Sequence, residues 1–355
     1  MQFGVMFSSD DLRGTSPARR AAEHVERAWY ALDAGFDTLA VAHRYSLGPA
    51  AADERGQPLS TARFQPLVLL AHVAGQIGDR MNYATQVLVS PGLHPVQLAE
   101  DIATLDALTG GRLRVAIGLG WMPNEFAAFG IDWDSRGERL DELVTLLRLL
   151  LTEEVVNFEG EHFTVRNATM VARCEQSPMP PLWLGASAGP AIRRAARLGD
   201  TWAMSAHTPL DQLITQQAGY HAELARLGKP RPAEQPLARL VYVAKDRKSA
   251  LREAEPALAE WYRKRGEWGW SLTNGRSDES LHEVIKAGRW IIGDPDDCIE
   301  QISMYRDQLG ANHFIFAMPW PAAEQRKRLE TIELLGERVL PAFRAQTAES
   351  AGQAF

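Results

Sequence analysis

The feature that most constrains this chain is a rhythm: short apolar runs recur along it, and longer segments of helical periodicity separate them. The short runs are Gln2–Phe7, Thr38–Ala42, Asn82–Val89, Leu113–Ile117, Leu182–Gly185, Thr201–Ser205, Arg239–Ala244 and His313–Met318. The helical segments are Ala18–Ala34, Gln65–Ile77, Pro95–Leu108, Arg136–Leu151, Pro190–Leu198, Leu210–Leu227, Asp294–Leu309 and Glu324–Val339. Strands separated by helices pair in parallel through crossover connections. Eight such units match an α/β chain closed into a (β/α)8 TIM barrel, which leaves no strand edge exposed. An open doubly wound sheet is the alternative, because alternation alone does not state closure.

Two stretches break the rhythm. Residues 152–181 carry VVNFEGEHFTV, a hairpin pattern turning at Glu159–Gly160, and residues 246–292 form a charged, Trp-bearing helical excursion. Both read as insertions on one barrel spanning residues 1–345, followed by a tail at 346–355.

Composition excludes several partners. With 38 basic and 45 acidic residues the formal charge is −7, and no basic run stands out, so nucleic acid is not expected. No apolar run approaches the ~20 residues of a membrane span. The start, MQFGVMFSSDDLRG, has no basic leader and is not a signal peptide. The two cysteines, Cys174 and Cys298, are far apart, which fits a reducing, cytoplasmic location and argues against a disulfide framework or zinc site. No HExxH or similar ligand spacing exists, so no metal is expected.

In a βα barrel the active site forms at the carboxyl ends of the strands. That rule selects Ser8, Ser9 and Asp10, then His43, Gln86 and Val87 followed by Ser90–Pro95, Gly118 to Trp121, Ser187, His207 and Trp320. The set is aromatic, small and sparsely charged, which suits a flat, mostly apolar ring. Gly185-Ala186-Ser187-Ala188-Gly189 runs into a helix near Pro190. Small residues at a helix N-terminus leave N–H groups aimed at an anion, so this turn is a phosphate cradle or an ordinary βα turn.

The same five residues spell G-x-S-x-G, the nucleophile elbow of serine hydrolases, with Asp200 and His207 or His313 downstream; an HGGG-type oxyanion loop is missing. Gly118-x-Gly120 is half a dinucleotide fingerprint, with Pro123 in the third position, so it supports close approach of a planar ligand and not a Rossmann site. His43 at the second strand end is placed for acid–base chemistry or is a capped histidine. Trp261, Trp268 and Trp270 form either a lid or packing for their insertion.

Three segments together resemble the luciferase-like monooxygenases: LAEDIATLDALTGGRLRVAIGLGWMPNEFAAFGIDWDSRGERLDE (98–142), PPLWLGASAGPAIRRAARLGDTWA (180–203) and GDPDDCIEQISMYRDQLGANHFIF (293–316). They occur in the family's order, and the likeness extends over most of residues 1–340. The resemblance implies a (β/α)8 barrel binding FMN, or in another branch F420, at its carboxyl mouth. It implies that Ala186, Ser187 and Ala188, with Gly185, hold the cofactor phosphate, and that Arg136 pairs with it. It places Gly118, Gly120, Trp121 and Glu125 beside the ring, Gln86–Val87 as a cis peptide behind it, and His43 as the acid or base.

One position departs from the pattern: the residue before His43, usually acidic in the family, is Ala42, which favours FMN over F420. The expected activity is oxygenation of a small organic substrate by reduced FMN and O2, with a separate NAD(P)H-dependent flavin reductase and a homodimeric state. The alternatives are hydride transfer with F420, a serine hydrolase, and a non-catalytic flavin-binding barrel.

Overall fold

The computed structural model of the chain describes residues 1–7, 16–45, 64–267, 280–318 and 325–344, without the side chains of 260–267. The strands are β1 (Gln2–Phe7), β2 (Thr38–Val41), β3 (Asn82–Thr85), β4 (Leu88–Val89), β5 (Leu113–Gly118), β6 (Val156–Glu159), β7 (Thr164–Ala168), β8 (Leu182–Ala186), β9 (Thr201–Met204), β10 (Pro236–Val243), β11 (Trp290–Gly293) and β12 (His313–Ala317). The helices are α1 (Pro17–Asp33), α2 (Pro66–Ile77), α3 (Pro95–Leu108), α4 (Pro123–Ala128), α5 (Arg136–Thr152), α6 (Gly189–Leu198), α7 (Leu210–Arg226), α8 (Arg247–Glu267), α9 (Leu281–Lys286), α10 (Pro295–Leu309) and α11 (Gln325–Leu334).

Proline marks many of the helix starts, with Pro17, Pro66, Pro95, Pro123, Pro190 and Pro295 in first turns. Its missing N–H costs nothing there and its φ already suits a helix. At α10, Asp294 caps the N–H groups of Asp296 and Asp297, and Gly310 ends the helix in the left-handed conformation at φ 63°. This start-and-stop chemistry confines the helix to its crossover.

Pairing is parallel around the ring β1–β2–β3–β5–β8–β9–β10–β12, which closes through β12 onto β1 and through β9 onto β10 at Met204–Leu237. The closed barrel is therefore the architecture, and the open sheet is set aside. Inside, one residue per strand builds a layer. Ala40, Ala84, Ala116, Ala203 and Ala238 surround the fully buried Trp183 indole, beside Ile315. Gly4 completes it, since a Cβ there would come within 2.7 Å of Ile315. Six small residues make room for one indole in the lumen, so the barrel is packed and not a pore.

Below this layer lies a polar seal. Glu234, just before β10, accepts from Trp183 Nε1 at 3.2 Å and Arg114 Nε at 3.1 Å, and its Oε1 lies 2.8 Å from His313 Nδ1. Thr38 Oγ1 meets the other His313 nitrogen at 2.9 Å. Burial alone would raise the Glu234 carboxyl, but the His313 hydrogen bond and the positive charge of Arg114 outweigh it and hold it below the usual carboxylate range.

Two expectations need correction. The expected third strand, Asn82–Val89, is two pieces, β3 and β4, divided at Gln86–Val87. The 246–292 excursion is not wholly helical: β11 runs along the last residues of β10, pairing Trp290–Gly293 with Leu240–Val243. The segment after Gly118 also contains the short helix α4. The hairpin stands, as β6 and β7, antiparallel. Its tip is tied to α5 by Glu142, whose carboxylate accepts the N–H groups of Glu161, His162 and Phe163.

Candidate active site at the carboxyl mouth of the barrel

The strand-end rule converges first on Val87. The peptide joining Gln86 to Val87 is cis, and the Val87 side chain packs on the lumen layer, as do Met6 and Ala206. Gly118 and Gly185 sit opposite one another in the β5–β8 ladder. A Cβ on Gly118 would lie 2.8 Å from Val87 Cγ2, and one on Gly185 would lie 2.9 Å from Val87 Cγ1. Both positions are bare because Val87 rests on them. Val87 becomes the apolar floor of the mouth.

His43 follows β2 and is buried, at 9% exposure. Its Nδ1 accepts the Val89 N–H at 3.1 Å. The Tyr45 ring meets the imidazole edge-on, with centroids 4.5 Å apart, and Phe129 packs on Tyr45 in the same manner at 4.7 Å. Gly92 is required here, because a Cβ would overlap both the Tyr45 phenol and the Phe129 ring. Burial pushes the Tyr45 phenol up to about 12, and the charge of Glu125 adds to the shift.

Glu125, on α4, is buried and accepts the Tyr45 N–H at 3.1 Å. The structure therefore shows it bracing the segment after β2. Gly120 has φ +83°, the left-handed region that favours glycine, and turns the chain towards Trp121, which is 39% exposed. Ser90 is buried and holds that turn by donating to the Leu119 carbonyl at 2.8 Å.

On the opposite side of the mouth, β8 ends at Ala186, whose carbonyl accepts the Trp202 indole N–H at 2.9 Å. Ser187, Ala188, Gly189 and Pro190 are exposed at the start of α6, and no side chain caps that helix. Gln216 Nε2 holds the turn from α7 by donating to the Ser187 carbonyl at 2.7 Å. Small side chains and an uncapped first turn are what an anion cradle needs.

Arg136 opens α5 beside α6, but its contacts are local. It donates to the Trp133 carbonyl at 2.6 Å, lies 4.0 Å above the Trp133 ring, and is 3.9 Å from Asp134. Two arginines of α6 reach α5: Arg194, which sits against Gly137, and Arg197, both paired with Asp141.

Two residues anticipated for a hydrolase are elsewhere. Asp200 and His313 lie at the amino ends of β9 and β12, where Asp200 binds Arg148 and the Leu182 N–H, and His313 belongs to the Glu234 seal. An elbow at Ser187 therefore has neither Asp200 nor His313 within its end of the barrel. His207 does lie at the carboxyl end, on a loop that buried Arg239 pins through the Ser205 and Thr208 carbonyls. Ser8, Ser9, Asp10, Trp268, Trp270 and Trp320 fall outside the described residues, as does the side chain of Trp261.

Sequence reasoning missed Tyr45 and Phe129, although it named the Ser90–Pro95 segment that holds Gly92. The available signal was the glycine in SPGLHP, placed directly after a strand end.

The fold and this mouth coincide with a match to the luciferase-like monooxygenase family model over residues 1–313, and the chain belongs to that family of flavin-dependent oxidoreductases. A curated relative, the F420-dependent glucose-6-phosphate dehydrogenase of Nakamurella multipartita, is 31% identical over 260 residues, covering 71% of this chain and 74% of that protein. The 4-hydroxyprotoasukamycin monooxygenase of Streptomyces nodosus subsp. asukaensis is 25% identical over 360 residues, covering 97% and 92%. Among solved structures, monooxygenase RslO1 from Streptomyces bottropensis superposes with a TM-score of 0.82 at 24% identity, covering 97% of this chain and 100% of that one. No described helix is long and apolar enough to cross a membrane.

Proposed function

We propose that the chain is a monooxygenase that uses reduced FMN and O2 to oxygenate a small organic substrate, with the reduced flavin delivered by a separate NAD(P)H-dependent reductase. The observation that carries this reading is Val87 seated on Gly118 and Gly185, an apolar floor at the strand ends with His43 at its rim. The residues fit a flat polar-edged ring with an anionic tail. Gln86 Oε1 is buried beside the floor with no hydrogen-bond partner among the described residues, so it suits a ring N–H. The Ser187–Gly189 turn suits the phosphate.

When bound, reduced FMN supplies the two electrons, and O2 the oxygen atom. The chain's own part is to orient and to exclude water. Val87 would support one face of the ring, and Ser187 with the first N–H groups of α6 would hold the tail. His43 would supply acid–base or hydrogen-bonding chemistry at the strand ends, with the half-buried Tyr45 ring packed edge-on against it.

A second reading, hydride transfer with F420, is favoured by the 31% identity to an enzyme of that cofactor. Two assays separate them: purified protein with photoreduced FMN in air, and with reduced F420 under anaerobic conditions, each against aldehydes, ketones, sulfonates and phenols. The expected result is product that requires reduced FMN and carries 18O from labelled O2. Turnover confined to F420 without O2 would replace the proposal with the second reading.

A further inference from the structure

The geometry points to a second anion site, separate from the cradle at Ser187: an open groove along α6, between α5 and α7, that takes a small multivalent oxyanion of the phosphate or diphosphate class. The inference does not rest on the flavin reading.

The groove begins with an unusual helix. α6, GPAIRRAARL, carries three arginines and no acid. Arg193 and Arg197 are four residues apart, a spacing at which like charges weaken a helix. The chain as a whole has a formal charge of −7, so a cluster of cations on one helix does not follow from composition.

These side chains line a groove of about 440 Å³, which Pro190 closes at one end and Arg226 of α7 flanks. That volume is in the range of sites for small molecules. Apart from Pro190 the lining is wholly charged, which suits neither an apolar ligand nor the core of a protein interface. Two acids share the groove. Asp141 of α5 is paired with both Arg194 and Arg197. Glu223 of α7 accepts from Arg226 Nε at 2.9 Å and from its Nη2 at 2.7 Å. Four guanidinium groups against two carboxylates leave a surplus of two positive charges.

Arg193 is the group that the acids leave over. It has no hydrogen bond or ion pair among the described residues, and its Nη1 lies back over the first turn of α6, 3.6 Å from where a Cβ on Gly189 would be. The field of the cluster is felt across the groove: the Arg226 hydrogen bond holds the Glu223 carboxyl below the usual carboxylate range, and the charges of Arg226, Arg193 and Arg197 add to the shift. Guanidinium groups are weakly hydrated and present paired N–H donors that match the oxygens of phosphate. A multivalent oxyanion therefore meets both the surplus charge and the donor geometry, whereas a halide meets neither.

The test is isothermal titration of the full-length protein with inorganic pyrophosphate at low ionic strength, where exposed charges are least screened. The wild type is expected to give a saturable isotherm, and sodium chloride at matched ionic strength none. Arg193→Gln, an exposed change, is expected to weaken binding about tenfold, the loss of a hydrogen bond from a charged group. Glu223→Gln removes an acid and frees Arg226, and is expected to tighten binding several-fold, a gain that no folding defect produces. Absence of binding to the wild type, an affinity untouched by Arg193→Gln, or no gain in Glu223→Gln would each overturn the inference. Saturating FMN is expected to leave the pyrophosphate isotherm in place; displacement of one by the other would put the anion in the cradle and overturn the separate site. The pyrophosphate titration needs no flavin, so a protein that failed to bind FMN would lose the flavin reading and keep this one.

Discussion

Val87, Gly118 and Gly185 show how single residues set the shape of the mouth. With Cβ positions only 2.8 and 2.9 Å from the valine methyls, Gly118→Ala or Gly185→Ala must displace Val87. Each change is expected to cost about 1–3 kcal/mol as overpacking, measured by chemical denaturation. Adding Val87→Ala to Gly118→Ala should recover most of the loss; simply additive losses would show that the contact is not what forbids a side chain there. The two glycines were legible as special positions, but not the reason. The residue they accommodate belongs to another strand end, and no local pattern reveals that pairing. Arg136 illustrates the converse: the resemblance directs it to a phosphate, whereas its contacts in the structure are with its neighbours Trp133 and Asp134. His43 followed from the strand-end rule, but its tautomer depends on a main-chain N–H that residue types do not encode.

At the scale of elements, the eight barrel strands were visible because each is a short apolar run bounded by turn residues and separated by a helix. β11 was not. Its four residues, Trp290–Gly293, are too short to show a period, and they follow a charged segment that reads as helix. The division of β3 from β4 was likewise invisible in NYATQVLV, which reads as one continuous strand, although the site between them was anticipated.

The amino ends of β5, β8, β10 and β12 are bound together by Glu234, and here the effect of pH has a definite sign. Its carboxyl titrates lower in the folded state than the ~4.3 of an unfolded chain. The stabilisation is complete above that unfolded value and is lost as pH falls through the folded one. Glu234→Gln is expected to cost about 1–3 kcal/mol near neutral pH, and to flatten the acid limb of a stability–pH curve. Parallel acid limbs for variant and wild type would remove Glu234 from this role.

For the whole molecule, closure was the property that the alternation left open. It depends on one pairing, Met204 with Leu237, and on a lumen that six small residues clear for the Trp183 indole. Once the ring is closed and its amino end sealed, the carboxyl mouth gathers the floor at Val87, the rim at His43 and the turn at Ser187. Flavin chemistry here requires that mouth to take a ring at one side and its phosphate at the other. Equilibrium titration with FMN and with riboflavin, followed by flavin fluorescence, tests this in the wild type and in Ser187→Glu, an exposed change that places a negative charge at the cradle. The wild type should bind FMN at least about tenfold more tightly than riboflavin, a margin of about 1.4 kcal/mol; in Ser187→Glu the margin should vanish while riboflavin affinity holds. Equal affinities for the two flavins in the wild type, or an FMN affinity untouched by the substitution, would contradict it.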